Sequence, residues 1–135
     1  MKINTGAIIG RFKRKKRLLI VDDSDFIRDR LVDLFEDIEN FEPVSEAKNS
    51  EQAYTIFNST SPDIVLLDIQ VPGDNGIKIL EKLKILRPGV IIIMLTNYPY
   101  DQYRKRCMEL GADYFFEKSG DMNRIYNICD KLIIA

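Results

Sequence analysis

Short, nearly continuous apolar runs alternate with segments of helical periodicity from residue 17 onward, and this alternation constrains the fold more than any other feature. The runs are RLLIVD (17–22), DIVLLD (63–68), VIIIML (90–95), DYFFEK (113–118) and a weaker one at 43–48. Runs that are apolar on both faces are typical of parallel strands covered by helices on both sides. The pattern therefore predicts five βα units folded into one doubly wound α/β domain.

A stripe of apolar residues at helical spacing follows each predicted strand. The stripes consist of Phe26, Ile27, Leu31, Leu34, Phe35 and Ile38; Ala53, Ile56 and Phe57; Ile77, Leu80, Leu83 and Leu86; Tyr100, Tyr103, Cys107 and Leu110; and Met122, Ile125, Cys129 and Leu132. RPG (87–89) and Gly111 are expected to end the third and fourth helices. The first, third and fourth strands are the most apolar, so we expect them in the middle of the sheet.

The reactive residue types that the chain lacks restrict its chemistry. It has no histidine, which excludes catalytic triads with an imidazole base and histidine-containing metal sites. Its two cysteines, Cys107 and Cys129, are in phase with apolar residues of predicted helices, so we expect buried thiols instead of a disulfide or a metal pair. Any catalysis must therefore use carboxylates, lysine, hydroxyl groups or a hard metal ion.

Polar residues stand at the carboxyl ends of four predicted strands, the edge at which open α/β sheets bind ligands. They are Asp22 and Asp23, Asp68, Thr96, and Glu117 with Lys118. Each has an ordinary structural explanation: helix capping for the acidic pair and the threonine, an Asx turn for Asp68, and a solvated surface charge for Lys118.

Taken together, the same residues indicate a phosphoryl site. Three carboxylates in one crevice repel one another unless a cation or a proton intervenes. Mg²⁺ prefers oxygen ligands and usually takes one or two carboxylates plus phosphate oxygens. A lysine and a hydroxyl group then suit the oxygens of a phosphoryl group, and a carboxylate can itself attack phosphorus to form an aspartyl phosphate.

At this point the sequence resembles the receiver domain of two-component response regulators. The matching segments are VDDS (21–24), LLDIQVPGDNG (66–76), MLT (94–96) and GADYFFEKS (111–119). The resemblance covers about residues 17–134 and implies a flavodoxin-like fold, a five-stranded parallel sheet in the order 2-1-3-4-5 with five helices. Residues 17–135 are then the expected receiver domain, and residues 1–16 a flexible basic leader.

The resemblance implies a metal site that holds Mg²⁺ or Mn²⁺. Asp22 and Asp23 match the family's metal-binding acidic pair. Asp68 matches the phosphoacceptor, which also binds the metal. The remaining protein ligand is expected to be the backbone carbonyl of Gln70.

The resemblance also implies the residues that handle the phosphoryl group and report its arrival. Lys118 matches the lysine that contacts this group, and Thr96 the hydroxyl that moves toward it. Phe115 falls at the position of the switch aromatic, whose rotamer changes the surface of the fourth helix, fifth strand and fifth helix.

The expected biology follows from the same resemblance. A histidine kinase or a phosphotransfer protein would donate the phosphoryl group, hydrolysis would remove it, and phosphorylation would favour binding to a downstream protein or a homodimer. No residues follow the last helix, so we expect a stand-alone receiver, a signalling protein instead of an enzyme. No apolar run approaches the roughly 18 residues of a membrane span, and no secretory pattern opens the chain, so we expect a cytoplasmic protein.

Several residues depart from the family pattern. Ser119 replaces the usual proline after Lys118, which leaves the geometry of that peptide bond open. Asn97 replaces a small residue at the expected mouth of the site. Gln70 and Tyr98 occupy variable positions that tune dephosphorylation, so the lifetime of the phosphoryl group stays open. For Tyr100 and Tyr103, core packing and an exposed contact surface are both compatible with the sequence.

Charge is distributed unevenly along the chain. Residues 1–17 carry seven Lys or Arg and no acid, so the remaining 13 basic and 21 acidic residues give the body a net charge of −8. Such a leader could contact nucleic acid or anionic lipid. A solvated tail, a start-site artefact or a remnant of a longer chain explains seven basic residues without interleaved aromatic residues more simply, so we do not expect such contacts.

Two other functions compete with a phosphoacceptor switch. A pseudo-receiver would keep the fold and signal without phosphorylation. Such proteins usually lose an acid of the pair, the acceptor or the lysine, and all of these are present here, which disfavours this class. A metal-dependent phosphohydrolase of the aspartyl-phosphate type needs a second acid two residues after its nucleophile. That position is Gln70 here, which disfavours this class.

Overall fold

A computed structural model of the chain describes residues 15–36, 38, 41–120 and 122–134. The predicted leader, apart from Lys15 and Lys16, lies outside this part. The elements in chain order are β1 (Leu18–Val21), α1 (Asp25–Glu36), β2 (Ser45–Ala47), α2 (Ser50–Thr60), β3 (Ile64–Asp68), α3 (Gly76–Leu86), β4 (Ile91–Thr96), α4 (Asp101–Glu109), β5 (Tyr114–Glu117) and α5 (Met122–Ile134). Within the described residues, no helix is both long enough and apolar enough to cross a membrane.

The five strands form one parallel sheet in the order β2-β1-β3-β4-β5. The predicted fold class and strand order are therefore confirmed, and β1, β3 and β4 occupy the middle of the sheet as expected. Strand β3 is buried along its whole length, because helices cover both of its faces.

Side chains of alternating orientation along the strands create two separate cores. Leu19, Val65 and Ile92 pack with α2, α3 and α4 on one face of the sheet. Leu18 and Leu66 pack with α1 and α5 on the other. Cys107 belongs to the first core and Cys129 to the second; both are buried free thiols, as predicted.

Local sequence fixes where several helices begin. The side chain of Ser24 accepts the N–H of Ile27 at 3.2 Å, that of Asn49 the N–H of Gln52 at 2.8 Å, and that of Asn75 the N–H of Lys78 at 3.0 Å. Caps of this kind are each worth about 1 kcal/mol, and they define the ends of three loops at the carboxyl edge of the sheet.

Three local predictions differ from the structure. Strand β2 is shorter than the predicted run at 43–48. Helix α1 ends at Glu36, so Ile38 is buried beyond the helix. Phe26 was predicted in the apolar stripe of α1 but is 66% exposed, because the core contacts of that helix come from Leu31 and Phe35.

The chain leaves β1 and β3 toward opposite faces of the sheet. Helix α1 packs through Phe35 in one core, whereas α3 packs through Leu80 in the other. The two strands are neighbours, with Val21 level with Leu67. Their diverging loops therefore open a crevice at the carboxyl edge, which is the usual ligand site of such sheets.

Candidate functional site

Three carboxylates meet in the crevice between the ends of β1 and β3. One oxygen from each of Asp22, Asp23 and Asp68 lies within 4.8 Å of the others. Asp22 is 1% and Asp68 3% exposed, whereas Asp23 faces solvent. The strand ends thus bring together the three acids that the sequence suggested. The carboxylate of Asp68 is buried and contributes to the lining of the cavity at this site.

Lys118 covers the two buried acids from the end of β5. Its Nζ lies 2.6 Å from Oδ2 of Asp22 and 2.9 Å from Oδ2 of Asp68, and the residue is only 6% exposed. Its backbone N–H donates to the carbonyl of Thr96 at 2.9 Å, which ties it to β4. The peptide bonds of the described residues, including Lys118–Ser119, are trans. Lys118 is therefore part of the site and not a solvated surface charge.

Each buried carboxylate divides its two oxygens between the loop and the lysine. Oδ1 of Asp22 accepts the N–H of Ser24 at 2.9 Å, and Oδ1 of Asp68 accepts the N–H of Gln70 at 3.1 Å. Oδ2 of each faces Lys118. Local backbone contacts and contact with the lysine are thus compatible in these aspartates, because they involve different oxygens.

A single ammonium group does not compensate for two buried carboxylates. Burial raises the pKa of Asp68 to about 6; Lys118 opposes this shift, and the neighbouring charge of Asp22 adds to it. Burial alone would lower the pKa of Lys118, but hydrogen bonds and charge from both aspartates outweigh it and leave that pKa raised. The site therefore has an excess of negative charge.

The donor atoms fit a hard divalent cation. Oδ2 of Asp22 is buried without a hydrogen-bond partner of good geometry, although it is ion-paired with Lys118. Three clustered carboxylates, one of them exposed, supply the oxygen ligands that Mg²⁺ or Mn²⁺ prefers. Gln70, whose carbonyl was the expected fourth ligand, lies on the wall of the same cavity.

The cavity above Asp68 has a volume of about 310 Å³ and opens to solvent. Its lining includes Asp23, Ser24, Asp68, Gln70, Asn97 and Lys118. Asn97 stands on the wall, where the sequence suggested that it would crowd the mouth. The exposed Tyr98 also lines the cavity.

The predicted hydroxyl and switch residues lie behind the site. Thr96 is fully buried, and its Oγ1 accepts the N–H of Tyr98 at 2.9 Å. Phe115 is buried under Arg104, whose guanidinium carbon lies 4.6 Å from the ring centroid. Nη1 of Arg104 also donates to the carbonyl of Phe115 at 3.4 Å. Outward movement of the Phe115 ring therefore requires Arg104 to move.

A series of tyrosines continues from the cavity along the start of α4. The ring centroids of Tyr98 and Tyr100 are 6.1 Å apart, and those of Tyr100 and Tyr103 are 5.4 Å apart. Tyr100 is 52% exposed, whereas Tyr103 packs partly against the core. Of the two alternatives left open by the sequence, surface holds for Tyr100 and partial burial for Tyr103.

The loop after Asp68 folds back against its own strand. The N–H of Gly76 donates to the carbonyl of Ile69 at 2.7 Å. A Cβ atom at Gly76 would lie 2.0 Å from the carbonyl oxygen of Asp68, so this approach requires glycine. Pro72 and Gly73 thus belong to a closed turn between Asp68 and α3.

Sequence reasoning missed the residues that support the site from other elements. Nη1 of Arg28, on α1, donates to the carbonyl of Asp22 at 2.7 Å. Tyr54 on α2 donates through its hydroxyl to Oδ2 of Asp74 at 2.8 Å, in the loop after Asp68. A basic residue six positions after Asp22 is a weak signal, and nothing in the sequence pairs Tyr54 with Asp74.

Comparisons with known proteins agree with this geometry. A family model described as the response regulator receiver domain matches residues 18–130. The chain is 33% identical over 117 residues to chemotaxis protein CheY of Halobacterium salinarum, covering 84% of the chain and 96% of that protein. It is 34% identical over 120 residues to sporulation initiation phosphotransferase F of Bacillus subtilis, covering 87% of the chain and 94% of that protein.

A solved structure supports the same relationship. The CheY-like response regulator receiver domain protein of Methanospirillum hungatei JF-1 matches with a TM-score of 0.81 at 28% identity. The match covers 89% of this chain and 94% of that protein chain.

Proposed function

This chain belongs to the response regulator receiver domain family, and from that premise we propose that it is a phosphoacceptor switch in which Asp68 takes up a phosphoryl group. The observation that carries the proposal is the contact of Lys118 with both Asp22 and Asp68, because one ammonium group serves two buried carboxylates of a three-aspartate cluster. Such an arrangement costs stability and is suited to binding a cation and a phosphoryl group.

The proposed reaction begins at Oδ2 of Asp68. This oxygen attacks the phosphorus atom of a phosphohistidine on a histidine kinase or phosphotransfer protein, the O–P bond forms, and the P–N bond breaks. The leaving imidazole takes up a proton. Hydrolysis reverses the state when water attacks phosphorus and the Asp68 O–P bond breaks.

Asp22, Asp23, Asp68 and the carbonyl of Gln70 would hold Mg²⁺ or Mn²⁺. When bound, the metal ion would offset the negative charge of the carboxylates and of the phosphoryl oxygens. Lys118 would release Asp68 from the ion pair and bind a phosphoryl oxygen instead, so that its positive charge stays within the site.

The output would arise when Thr96 moves toward the new phosphoryl oxygens. Thr96 currently accepts a hydrogen bond from the N–H of Tyr98, so its movement would rearrange the start of the tyrosine series. The space vacated behind it would admit Phe115, drawing the ring away from Arg104. The altered surface of α4, β5 and α5 would then bind a downstream protein or a second copy of the chain.

The test is incubation with Mg²⁺ and a small acyl phosphate, followed by intact-mass measurement of the phosphorylated fraction. We expect wild type to gain one phosphoryl group and the Asp68→Asn variant to gain none. Asp33→Asn, the same change at an exposed aspartate of α1, is the matched control and should label like wild type. An unlabelled wild type, or equal labelling of the Asp68→Asn variant, would overturn the proposal.

Metal binding separates this function from a phosphorylation-independent interaction module. A receiver that uses the acidic cluster should bind Mg²⁺ before any phosphodonor is added. Wild type that shows no Mg²⁺-dependent rise in melting temperature and no labelling would favour the interaction module.

A further inference from the structure

The loop between β3 and α3 is joined to α2 by hydrogen bonds at Pro72 and Asp74. We call the four residues Ser50, Tyr54, Asp74 and Lys82 the Asp74 clamp. Two of them lie on α2, one on the loop and one on α3. The clamp lies outside the acidic cluster, and the reaction proposed above does not use it.

Ser50, at the first turn of α2, holds the backbone of the loop tip. Its N–H donates to the carbonyl of Pro72 at 3.1 Å, and its Oγ accepts the N–H of Asp74 at 2.9 Å. Between these contacts, Gly73 has a φ of +89°, and a Cβ atom there would lie 2.2 Å from Oγ of Ser50. The loop tip and α2 therefore fit together at atomic contact.

The side chain of Asp74 links α2 to α3. Oδ2 accepts the hydroxyl of Tyr54 at 2.8 Å and lies 3.0 Å from Nζ of Lys82. The Lys82 ammonium also lies 5.1 Å from the centroid of the Tyr54 ring. Hydrogen bonds from Lys82 and Tyr54 lower the pKa of Asp74, so it stays ionised and available to both partners.

The other end of the same loop forms a wall of the phosphoryl site. Ile69 and Val71 are buried in the core, and Gln70 between them is exposed on the cavity wall. Only three residues separate Gln70 from Asp74. A tip released from α2 would therefore loosen the wall next to Asp68.

Mg²⁺ demands near-ideal octahedral geometry, so its affinity depends on how firmly each ligand is held. Substituting residues that hydrogen-bond to metal ligands typically lowers metal affinity 10- to 100-fold. The loop that carries the expected ligand at Gln70 therefore bears on the Mg²⁺ affinity of the site.

We propose that the Asp74 clamp fixes the Gln70 wall, and that Tyr54 and Lys82 act as positioning residues that set the Mg²⁺ affinity of the site. This inference rests on the proposed phosphoacceptor function. The inference assigns no chemistry to the clamp, because none of its four residues is among those that line the cavity around Asp68.

The experiment measures Mg²⁺ affinity from the rise in melting temperature as Mg²⁺ is added without a phosphodonor. It also measures the rate of labelling by a small acyl phosphate as a function of Mg²⁺ concentration. The Tyr54→Phe variant, which removes only the hydroxyl, should need roughly tenfold more Mg²⁺ for half-maximal rate. The rate at saturating Mg²⁺ should stay that of wild type, because the reacting groups are intact. Lys82→Met should shift the Mg²⁺ dependence in the same direction.

Matched variants separate positioning from general destabilisation. Tyr126→Phe removes a hydroxyl from a half-buried tyrosine on α5, which stacks with Phe35 at 6.4 Å. Lys84→Met breaks the ion pair with Asp113 at the other end of the sheet. Both should keep the wild-type Mg²⁺ dependence even where they lower the melting temperature. Asp74→Asn, which keeps an acceptor for Tyr54, should shift the Mg²⁺ dependence less than Asp74→Ala.

The outcomes are distinct for the two proposals. A wild type that does not label would overturn the proposed function and the clamp inference with it. A wild type that labels normally, together with Tyr54→Phe and Lys82→Met variants of unchanged Mg²⁺ dependence, would overturn the clamp inference alone. An equal shift in Tyr126→Phe would also overturn it.

Discussion

The charged side chains at the two ends of the same parallel sheet differ in how fully they are paired. At the amino end, Oδ2 of Asp113 accepts the N–H of Ile92 at 2.9 Å and lies 3.0 Å from Nζ of Lys84. At the carboxyl end, the buried carboxylates of Asp22 and Asp68 share one ammonium group, that of Lys118.

Arg17 shows how fully the amino end is paired. Its backbone N–H donates to Asp63 at 2.8 Å, Nε to Glu42 at 3.0 Å, and Nη1 to the carbonyl of Thr60 at 2.7 Å. These contacts connect the chain before β1 with the loops before β2 and β3 and with the end of α2, so they stabilise the fold. The carboxyl end instead holds uncompensated negative charge, which costs stability and leaves capacity to bind a cation and a phosphoryl group.

The largest effect is expected when the carboxyl end loses its lysine. Lys118→Met leaves Asp22 and Asp68 buried without their ammonium partner, which should lower the free energy of unfolding by about 3 kcal/mol in EDTA. Urea denaturation in EDTA measures this loss in the free energy of unfolding. Lys84→Met at the amino end should cost about 1 kcal/mol, because that pair is partly solvated. Equal losses at the two ends would contradict the comparison.

A smaller effect of opposite sign is expected from Asp68→Asn. The pKa of Asp68 is raised from 3.8 to about 6 in the folded protein, so the native state binds its proton more tightly than the unfolded chain does. The contribution of this residue to stability is present below about pH 4 and is lost as pH rises through about 6. The variant should therefore gain roughly 2 kcal/mol at pH 7.

The pH dependence of that gain is its check. Urea unfolding in EDTA at acidic and neutral pH should show the variant and wild type converging toward pH 4, because both side chains are then neutral. A constant difference across this range would mean that the burial of the carboxylate is not the cause.

The smallest effect is expected at the amino end. Glu42→Gln breaks the pair between Glu42 and Arg17, whose side chains are each 38% exposed. Exposed pairs contribute little, so the free energy of unfolding should fall by less than about 1 kcal/mol. The change should be independent of Mg²⁺, in contrast to changes at the carboxyl end. A Mg²⁺-dependent loss measured by urea denaturation would show that the two ends are coupled.

The sequence predicts the sheet well because the signal for each strand is local. The runs at 63–68 and 90–95 are apolar enough to identify β3 and β4 from neighbouring residues alone. Strand β2 has only three residues, so its bounds were overestimated. Phe26 fits the helical spacing, but which face of α1 is buried depends on packing against the sheet.

The site shows the same division between local and long-range information. Asp22, Asp68 and Lys118 could be found because each ends a strand, and parallel strands end at one edge. Tyr54 and Asp74 could not, since they are 20 residues apart and meet only when α2 packs beside the loop. Arg104 over Phe115 likewise depends on the packing of α4 against β5.

A mutational scan scored by signalling output would wrongly identify Gly76 as a residue that takes part in the reaction. It has no side chain, yet any substitution pushes a Cβ atom to within 2.0 Å of the backbone carbonyl of Asp68. Its tolerance profile would therefore match that of a reacting residue. Scoring abundance alongside output distinguishes the two, because substitutions at Gly76 should reduce both, whereas Asp68→Asn should reduce output alone.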